Sequence, residues 1–110
     1  MSFNYLGREI LTDDEGFLIN ADDWSPELMN EIARQMNLTL TNEHLTIIKV
    51  VRDYYAQYAT TPPMRSLIKL LKQQGHANLA DSITLASLFP DGAAKSAAKL
   101  AGLSKPVHCI

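Results

Sequence analysis

Apolar residues recur at two different spacings, and the change of spacing separates a short β region from a helical remainder. The chain begins with three short apolar segments, 3–6, 9–12 and 17–19, which are separated by turn-forming sequences that contain glycine. This pattern predicts a small antiparallel hairpin or three-stranded meander over 1–20. Because so small a ribbon does not fold alone, we expect it to pack on the residues that follow.

The remaining apolar residues follow a helical spacing and predict a bundle of about five helices over 21–102. We expect a first helix over about 26–36 and a second that is capped by Thr41 or Asn42 and runs to about 59. A third should start at the turn 61–63 and run to about 74, and two more should cover about 77–88 and 93–101. The second helix has the broadest apolar stripe, which includes Leu45, Val51 and Tyr58, so it is predicted to be the buried centre of the bundle. The chain is therefore expected to be a mainly α protein.

The first of these helices has a clear start signal. Ser25 has a side chain suited to an N-cap, and Pro26 suits the first helical position that follows it. Trp24, just before the cap, can act as a hydrophobic staple against the first turns of the helix.

The last eight residues, 103–110, are predicted to form an extended, mobile arm. Gly102 suits the left-handed position that ends a helix, and Pro106 favours extended backbone at the residue before it. The seven residue steps from Gly102 to Cys109, at about 3.3–3.6 Å each, allow the sulfur to lie roughly 23–25 Å from the last helix. The arm could therefore carry this cysteine into the active site of another protein.

Cys109 is the only cysteine of the chain, so no internal disulfide can form. Its thiol reacts as a thiolate, which protonated Lys105 and His108 would stabilise and the terminal carboxylate would oppose. A single accessible thiol without a resolving partner suits the transfer of sulfur between proteins as a persulfide, and it does not suit a redox sensor. An incidental tail cysteine is the alternative that the residues alone leave open.

Composition and charge restrict the class of protein. The 110 residues are 46% hydrophobic, which suits one compact domain, and they include neither an apolar run long enough for a membrane span nor a leader sequence. We therefore expect a cytoplasmic protein without membrane contact. Residues 1–60 have ten acidic and four basic side chains, a net charge of −6, whereas residues 61–110 have two acidic and six basic ones, a net charge of +4. This polarity could orient a partner or belong to an ordinary solvated surface.

No metal or cofactor site is expected. The three histidines, His44, His76 and His108, are scattered through the chain, so each is predicted to have a surface role in place of metal ligation. The sequence also has no phosphate-binding glycine loop, and no serine, histidine and acid in an order typical of a hydrolase.

Two groups of cations are candidate docking residues. Lys95 and Lys99 lie one turn apart on the last predicted helix, near the start of the arm. Arg65 and Lys69 are the candidates on the third helix. Together with Lys72 they share its outer face and could belong to a helix-turn-helix, although cations on a helical face more often form a solvated surface. No direct contact with DNA is expected, and a DNA-binding regulator is kept as an alternative.

Several segments spread over nearly the whole chain match the pattern of one known family. They are residues 7–10, 14–18, 23–25, 43–44, 51–55, 88–90, 94–95 and 99–110, the last of which ends in Lys105-Pro106-Val107-His108-Cys109-Ile110. In these segments the sequence resembles the DsrC/TusE family, and its TusE branch in particular. The resemblance implies a small N-terminal β element on an orthogonal helical bundle, and an arm whose penultimate cysteine carries sulfur.

The resemblance also implies a function and partners. In the TusE branch, the arm cysteine accepts persulfide sulfur from a TusBCD-like donor complex and passes it toward an MnmA-like tRNA thiouridylase, which thiolates C2 of the wobble uridine. By resemblance, Cys109 would be the persulfide carrier. The chain would then be a sulfurtransferase in the sense of a carrier, without turnover of its own.

Two positions depart from the family pattern. The DsrC branch has a second arm cysteine eleven positions before the penultimate one, where this chain has Ala98. The two-cysteine chemistry of sulfite reduction is therefore not expected here, and a DsrC-like partner subunit of a dissimilatory sulfite reductase system is the alternative to the relay. Ser104, where many relatives have proline, is the second departure.

Overall fold

The N-terminal region is a two-stranded antiparallel hairpin. In the computed structural model, which describes residues 1–104, β1 (Ser2–Tyr5) pairs with β2 (Arg8–Leu11), and Phe3 lies opposite Ile10. The third predicted segment contributes a single antiparallel bridge between Thr12 and Leu18. Of the two predicted forms, the hairpin is the one observed.

Five α-helices follow the hairpin. They are α1 (Pro26–Gln35), α2 (Asn42–Tyr58), α3 (Met64–Gln73), α4 (Ser82–Leu88) and α5 (Ala93–Leu100), with short 3-10 turns at Ala21–Asp23 and Ala77–Leu79. The oxygen of Ser25 accepts the N–H of Leu28 at 3.1 Å, which confirms the predicted start of α1. Within residues 1–104, no helix is both long enough and apolar enough to cross a lipid bilayer.

The prediction of a fourth helix over 77–88 was wrong for the first half of that range. The chain forms the 3-10 turn there and starts α4 only at Ser82. The cause is Asp81, whose backbone is extended and whose carboxylate accepts the N–H of Thr84 at 2.7 Å. An aspartate that caps a new helix start in this way ends the preceding turn.

The centre of the bundle is α5, and the prediction that α2 would occupy it was wrong. α5 contacts each of the other four helices, and five of its eight residues are buried, namely Ala93, Ser96, Ala97, Ala98 and Leu100. Small alanine side chains let neighbouring helices approach closely. The apolar stripe of α2 is narrower than predicted, because 42% of the surface of Leu45 and 56% of that of Tyr58 are exposed to solvent.

His44 is buried, so the predicted surface role for this histidine was also wrong. Its Nδ1 accepts the backbone N–H of Thr41 at 3.0 Å, and its Nε2 donates to the carbonyl of Leu88 at 2.8 Å. The ring also meets Phe89 edge to face at 5.0 Å between centroids. His44 therefore caps α2 and joins it to the end of α4.

The hairpin and the helices share one hydrophobic core. Ile10 and Phe17 from the N-terminal region belong to the same buried cluster as Leu67, Leu85 and Leu100 from the helices. The expectation that the ribbon packs on the following residues is confirmed, and the hairpin therefore contributes to the stability of the bundle.

Candidate functional site

The arm base, defined here as residues 100–104, is the segment from which the chain leaves α5. Gly102 has the predicted left-handed backbone, with φ of 74°. Its N–H donates to the carbonyl of Lys99 at 3.2 Å, and the N–H of Leu103 donates to the carbonyl of Ala98 at 3.0 Å. These two bonds form a Schellman motif, which ends a helix and pairs two of its last carbonyls.

Two further carbonyls of the arm base are bound by side chains from distant parts of the chain. The indole Nε1 of Trp24 donates to the carbonyl of Leu100 at 2.8 Å, and the guanidinium of Arg52 donates to that of Ala101 at 2.5 Å. Trp24 precedes α1 and Arg52 lies in the middle of α2. The end of α5 is therefore held by tertiary contacts as well as by its own backbone.

Trp24 and Arg52 also contact each other, and we call this pair the clamp. The guanidinium carbon of Arg52 lies 3.8 Å from the centroid of the Trp24 ring, which is cation–π geometry. The indole in turn covers Gly102, since a Cβ added there would collide with the ring carbon Cδ1. Gly102 is thus required both for its backbone conformation and for the close approach of Trp24.

Contacts with the bundle continue to the last described residue. Leu103 is buried, with 8% of its surface exposed, whereas Ser104 is exposed and its hydroxyl lies 3.3 Å from that of Tyr55. The position of the chain is therefore supported through Leu103, and Ser104 is held only by a long, exposed contact.

The predicted arm chemistry lies beyond this point. The candidate persulfide carrier is Cys109, and its predicted neighbours are Lys105, Pro106 and His108; all four lie outside the described residues. Their roles remain predictions. The structure describes the arm base, from which the segment with these four residues continues.

The predicted docking lysines of α5 lie beside the N-terminal turn. The ammonium of Lys95 forms an ion pair with Glu15 at 2.8 Å, and the end of Lys99 lies over Gly16. Both lysines line an open groove of about 630 Å³, whose other lining residues are Glu15, Phe17, Gln35, Met36, Asp91 and Ser96. The two lysines are therefore partly covered and contribute to a groove of mixed charge.

The predicted docking cations of α3 form a separate group. Arg65 and Lys69 are exposed, as is Lys72. Among residues 1–104, no carboxylate forms an ion pair with any of the three. Their charge is therefore presented to solvent, as predicted for the outer face of this helix.

The carboxylates with shifted pKa values lie away from the arm base. The pKa of Glu31 is lowered to about 2, chiefly by the hydrogen bond from Arg34, with a further contribution from Gln35. The backbone N–H of Thr84 lowers the pKa of Asp81. In the part of the chain that the structure describes, no group of three or more His, Cys, Asp or Glu side chains could hold a metal ion.

The clamp is the part of the site that the sequence did not indicate. The sequence predicts Trp24 as a staple for α1 and indicates no separate role for Arg52. The available signal was an arginine directly after the apolar pair Val50-Val51, next to the buried face of α2. A cation in that place needs an acceptor, but the sequence could not show that the acceptor lies 49 residues further along the chain.

Comparison with known proteins places this site in a family. The sequence model of the family described as DsrC like protein matches residues 4–110, which include the clamp, the arm base and Cys109. The chain belongs to the DsrC-like family.

Curated members of the DsrC-like family match the chain over nearly its whole length. Sulfurtransferase TusE of Sodalis glossinidius (strain morsitans) is 46% identical to this chain over 110 residues, and the match covers the full length of both proteins. Sulfurtransferase TusE of Buchnera aphidicola subsp. Schizaphis graminum (strain Sg) is 44% identical over 105 residues, which are 96% of this chain and 92% of that one. The predicted resemblance to the TusE branch is confirmed.

Solved structures of the DsrC-like family have the same fold. The NMR structure of Allochromatium vinosum DsrC is 39% identical, with a TM-score of 0.86 and full coverage of both chains. The crystal structure of the oxidized gamma-subunit of the dissimilatory sulfite reductase (DsrC) from Archaeoglobus fulgidus is 32% identical, with a TM-score of 0.87 and full coverage of both chains. The predicted mainly α fold with a small N-terminal hairpin is confirmed.

Proposed function

We propose that this chain is a sulfurtransferase that accepts sulfur as a persulfide on Cys109 and relays it toward 2-thiolation of a tRNA wobble uridine. The observation that carries the proposal is the full-length match to TusE sulfurtransferases, in a chain whose only cysteine is the penultimate residue. The matches support a role in sulfur transfer. The persulfide on Cys109 is the form of transfer that a single thiol allows.

The chemistry needs no net oxidant or reductant. The Cys109 thiolate attacks the outer sulfur of a donor persulfide, a new S–S bond forms, and the donor thiolate leaves with the electron pair of the broken S–S bond. In the second step, a thiolate of the acceptor attacks the outer sulfur of Cys109–S–S⁻, and the Cys109 thiolate leaves. Each step is a thiol–disulfide type exchange in which one S–S bond replaces another.

The proposed partners are a donor complex similar to TusBCD and a tRNA thiouridylase similar to MnmA, with its tRNA. Lys105 and His108 would favour the thiolate of Cys109 when they are protonated, and Pro106 would keep the arm extended. The DsrC-like alternative, in which the chain is a partner subunit of a sulfite reductase, has less support. Position 98 is a fully buried alanine, so a second arm thiol is absent there.

Loading and transfer can be followed by intact-mass spectrometry. A persulfide donor should add about 32 Da to the wild-type chain, and a thiol acceptor should remove it. Cys109→Ser should abolish both changes, while Ser104→Ala, a similar small substitution at the arm base, should leave both intact. Transfer by the Cys109→Ser variant, or no loading of the wild-type chain by any persulfide donor, would reject the proposal.

We further propose that Lys95 and Lys99 of the groove, with Arg65 and Lys69 of α3, contribute to docking of the acidic surface of a partner. Lys69→Ala and Lys99→Ala should each weaken binding to the donor or acceptor protein, more strongly at low ionic strength because salt screens exposed charges. Lys49→Ala is the matched control, since Lys49 is an exposed lysine paired with Asp53 on α2. Equal effects of all three substitutions, or binding that does not depend on salt, would contradict this assignment.

A further inference from the structure

The carbonyl groups at the end of α5 are all paired, although the end of a helix ordinarily leaves its last four carbonyls without intrahelical partners. The carbonyls of residues 97–99 accept backbone N–H groups of residues 101–103. Those of Leu100 and Ala101 accept from the clamp, Trp24 and Arg52. Leu100 and Ala101 have no exposed surface, so these two carbonyls cannot turn to water instead.

We propose that Trp24 and Arg52 are positioning residues for the arm: they fix the point and direction from which residues 103–110 leave the bundle, so that Cys109 meets the reacting sulfur of a docked partner. This inference rests on the proposed function for its consequence in sulfur transfer. The clamp touches neither the thiol nor the cargo, so its effect must pass through the position of the arm base.

The length of the arm explains why a fixed starting point matters. Five residue steps separate Ser104 from Cys109, so the thiol can reach at most roughly 17–18 Å from the last described residue. If the arm base frayed, the tether would start near the end of α5 and gain about five residues, which would double its length. For a flexible tether, a doubling of its length lowers the effective concentration of its end by about threefold.

The two clamp residues can be weakened separately. Trp24→Phe keeps an aromatic face for Arg52 but removes the N–H that binds the Leu100 carbonyl. Arg52→Lys keeps the positive charge but loses the planar guanidinium, which stacks on the indole while it donates to Ala101. Arg34→Lys is the matched control, because it is the same substitution at an exposed site on α1 where Arg34 pairs with Glu31.

The position of the arm can be measured without any partner, because Cys109 is the only thiol to which a probe attaches. We would attach a nitroxide to Cys109 and record the paramagnetic broadening of backbone amides by NMR. Trp24→Phe and Arg52→Lys should spread the broadening over a larger surface than in the wild-type chain, and Arg34→Lys should not. An unchanged pattern in both clamp variants, each shown to be folded by its amide spectrum, would overturn the inference.

The consequence for transfer is tested by comparing two reactions of the same thiol. Single-turnover transfer of persulfide from the loaded chain to its protein acceptor should slow by about threefold or more in both clamp variants. The affinity for the acceptor and the rate of Cys109 alkylation by iodoacetamide should stay at wild-type values. A parallel loss of alkylation would show a general effect on the thiol, and unchanged transfer would show that the starting point of the arm is unimportant; either result overturns the inference.

Failure of the proposed function has a different signature. If the wild-type chain neither accepts nor transfers sulfur, the relay is rejected, and the positioning claim is then decided by the nitroxide measurement alone.

Discussion

The ends of α3 and α5 have the same backbone motif in different surroundings. At the end of α3, Gly75 has φ of 86°, its N–H donates to the carbonyl of Lys72, and the N–H of His76 donates to that of Leu71. These bonds match those around Gly102 one for one. Around Gly75, however, an added Cβ would meet no atom within 4 Å, whereas at Gly102 it would collide with Trp24.

The comparison separates two reasons for a glycine at a helix end. Gly75 satisfies a local requirement, because its φ is one that other residues adopt only with strain. Gly102 satisfies the same requirement and also makes room for the clamp. The local sequence signal is alike in both places. At the second end, side chains from distant positions also bind the carbonyls of Leu100 and Ala101.

The largest difference between the two ends should appear when each glycine is replaced by alanine. Gly75→Ala should lower the free energy of unfolding by about 1–2 kcal/mol, the cost of a left-handed alanine. Gly102→Ala should lower it by about 2–5 kcal/mol, because overpacking against Trp24 adds to that strain. Urea unfolding of the two variants measures both values, and equal losses would show that the indole simply moves aside.

Removal of one hydrogen bond of the clamp should affect only the α5 end. Trp24→Phe leaves the carbonyl of Leu100 buried and unpaired, which should cost about 1–3 kcal/mol. Native-state hydrogen exchange should show a lower free energy of opening for the amide of Leu103. The amide of His76 at the α3 end is the internal control, and a similar loss at both amides would indicate global destabilisation instead.

A smaller effect is expected at the outer edge of the arm base. Tyr55→Phe removes only the long, exposed contact with the Ser104 hydroxyl, so the free energy of unfolding should change by no more than about 0.5 kcal/mol. The free energies of unfolding of Tyr55→Phe and Trp24→Phe can be compared by urea unfolding under the same conditions. A loss as large as that of Trp24→Phe would mean that the clamp extends further along the chain than its contacts indicate.

Acid should distinguish the end of α1 from the end of α5. The folded pKa of Glu31, about 2, lies below its ordinary value of 4.5, so its stabilising contribution is complete above about pH 4.5 and is lost as the pH falls toward 2. An NMR titration of the folded protein should show the side-chain signals of Glu31 and Gln35 changing with a midpoint near pH 2. The clamp contains no carboxylate, so the amide of Leu103 should change little while the protein stays folded.

Local signals account for the parts of the fold that were predicted correctly. The turn at Gly7, the cap at Ser25 and the left-handed Gly102 each act within a few residues, and each is observed. The predictions that failed depended on distant packing. Alanines carry little hydropathy, so the sequence did not mark α5 as the centre, and nothing near His44 indicated that Leu88 would bury and bind it.

The candidate site also has one part that the sequence predicts and one part that depends on contacts between distant residues. The predicted Cys109 lies in a segment that the family comparison covers, since the match extends to residue 110. The clamp could not be predicted, because its hydrogen bonds join residues separated by 76 and 49 positions. Contacts of that separation leave no periodicity and no local motif in a single sequence.

The chain has one tryptophan, and that indole is the one in the clamp. Indole emission responds to an adjacent cation and to the hydrogen bond of its N–H, and Trp24 has both, in the guanidinium of Arg52 and the carbonyl of Leu100 at the arm base. A partner that docks there and disturbs the clamp would therefore alter the ultraviolet-excited fluorescence of the unlabelled protein. Each hand-over of sulfur could then be followed in real time by an intrinsic optical signal.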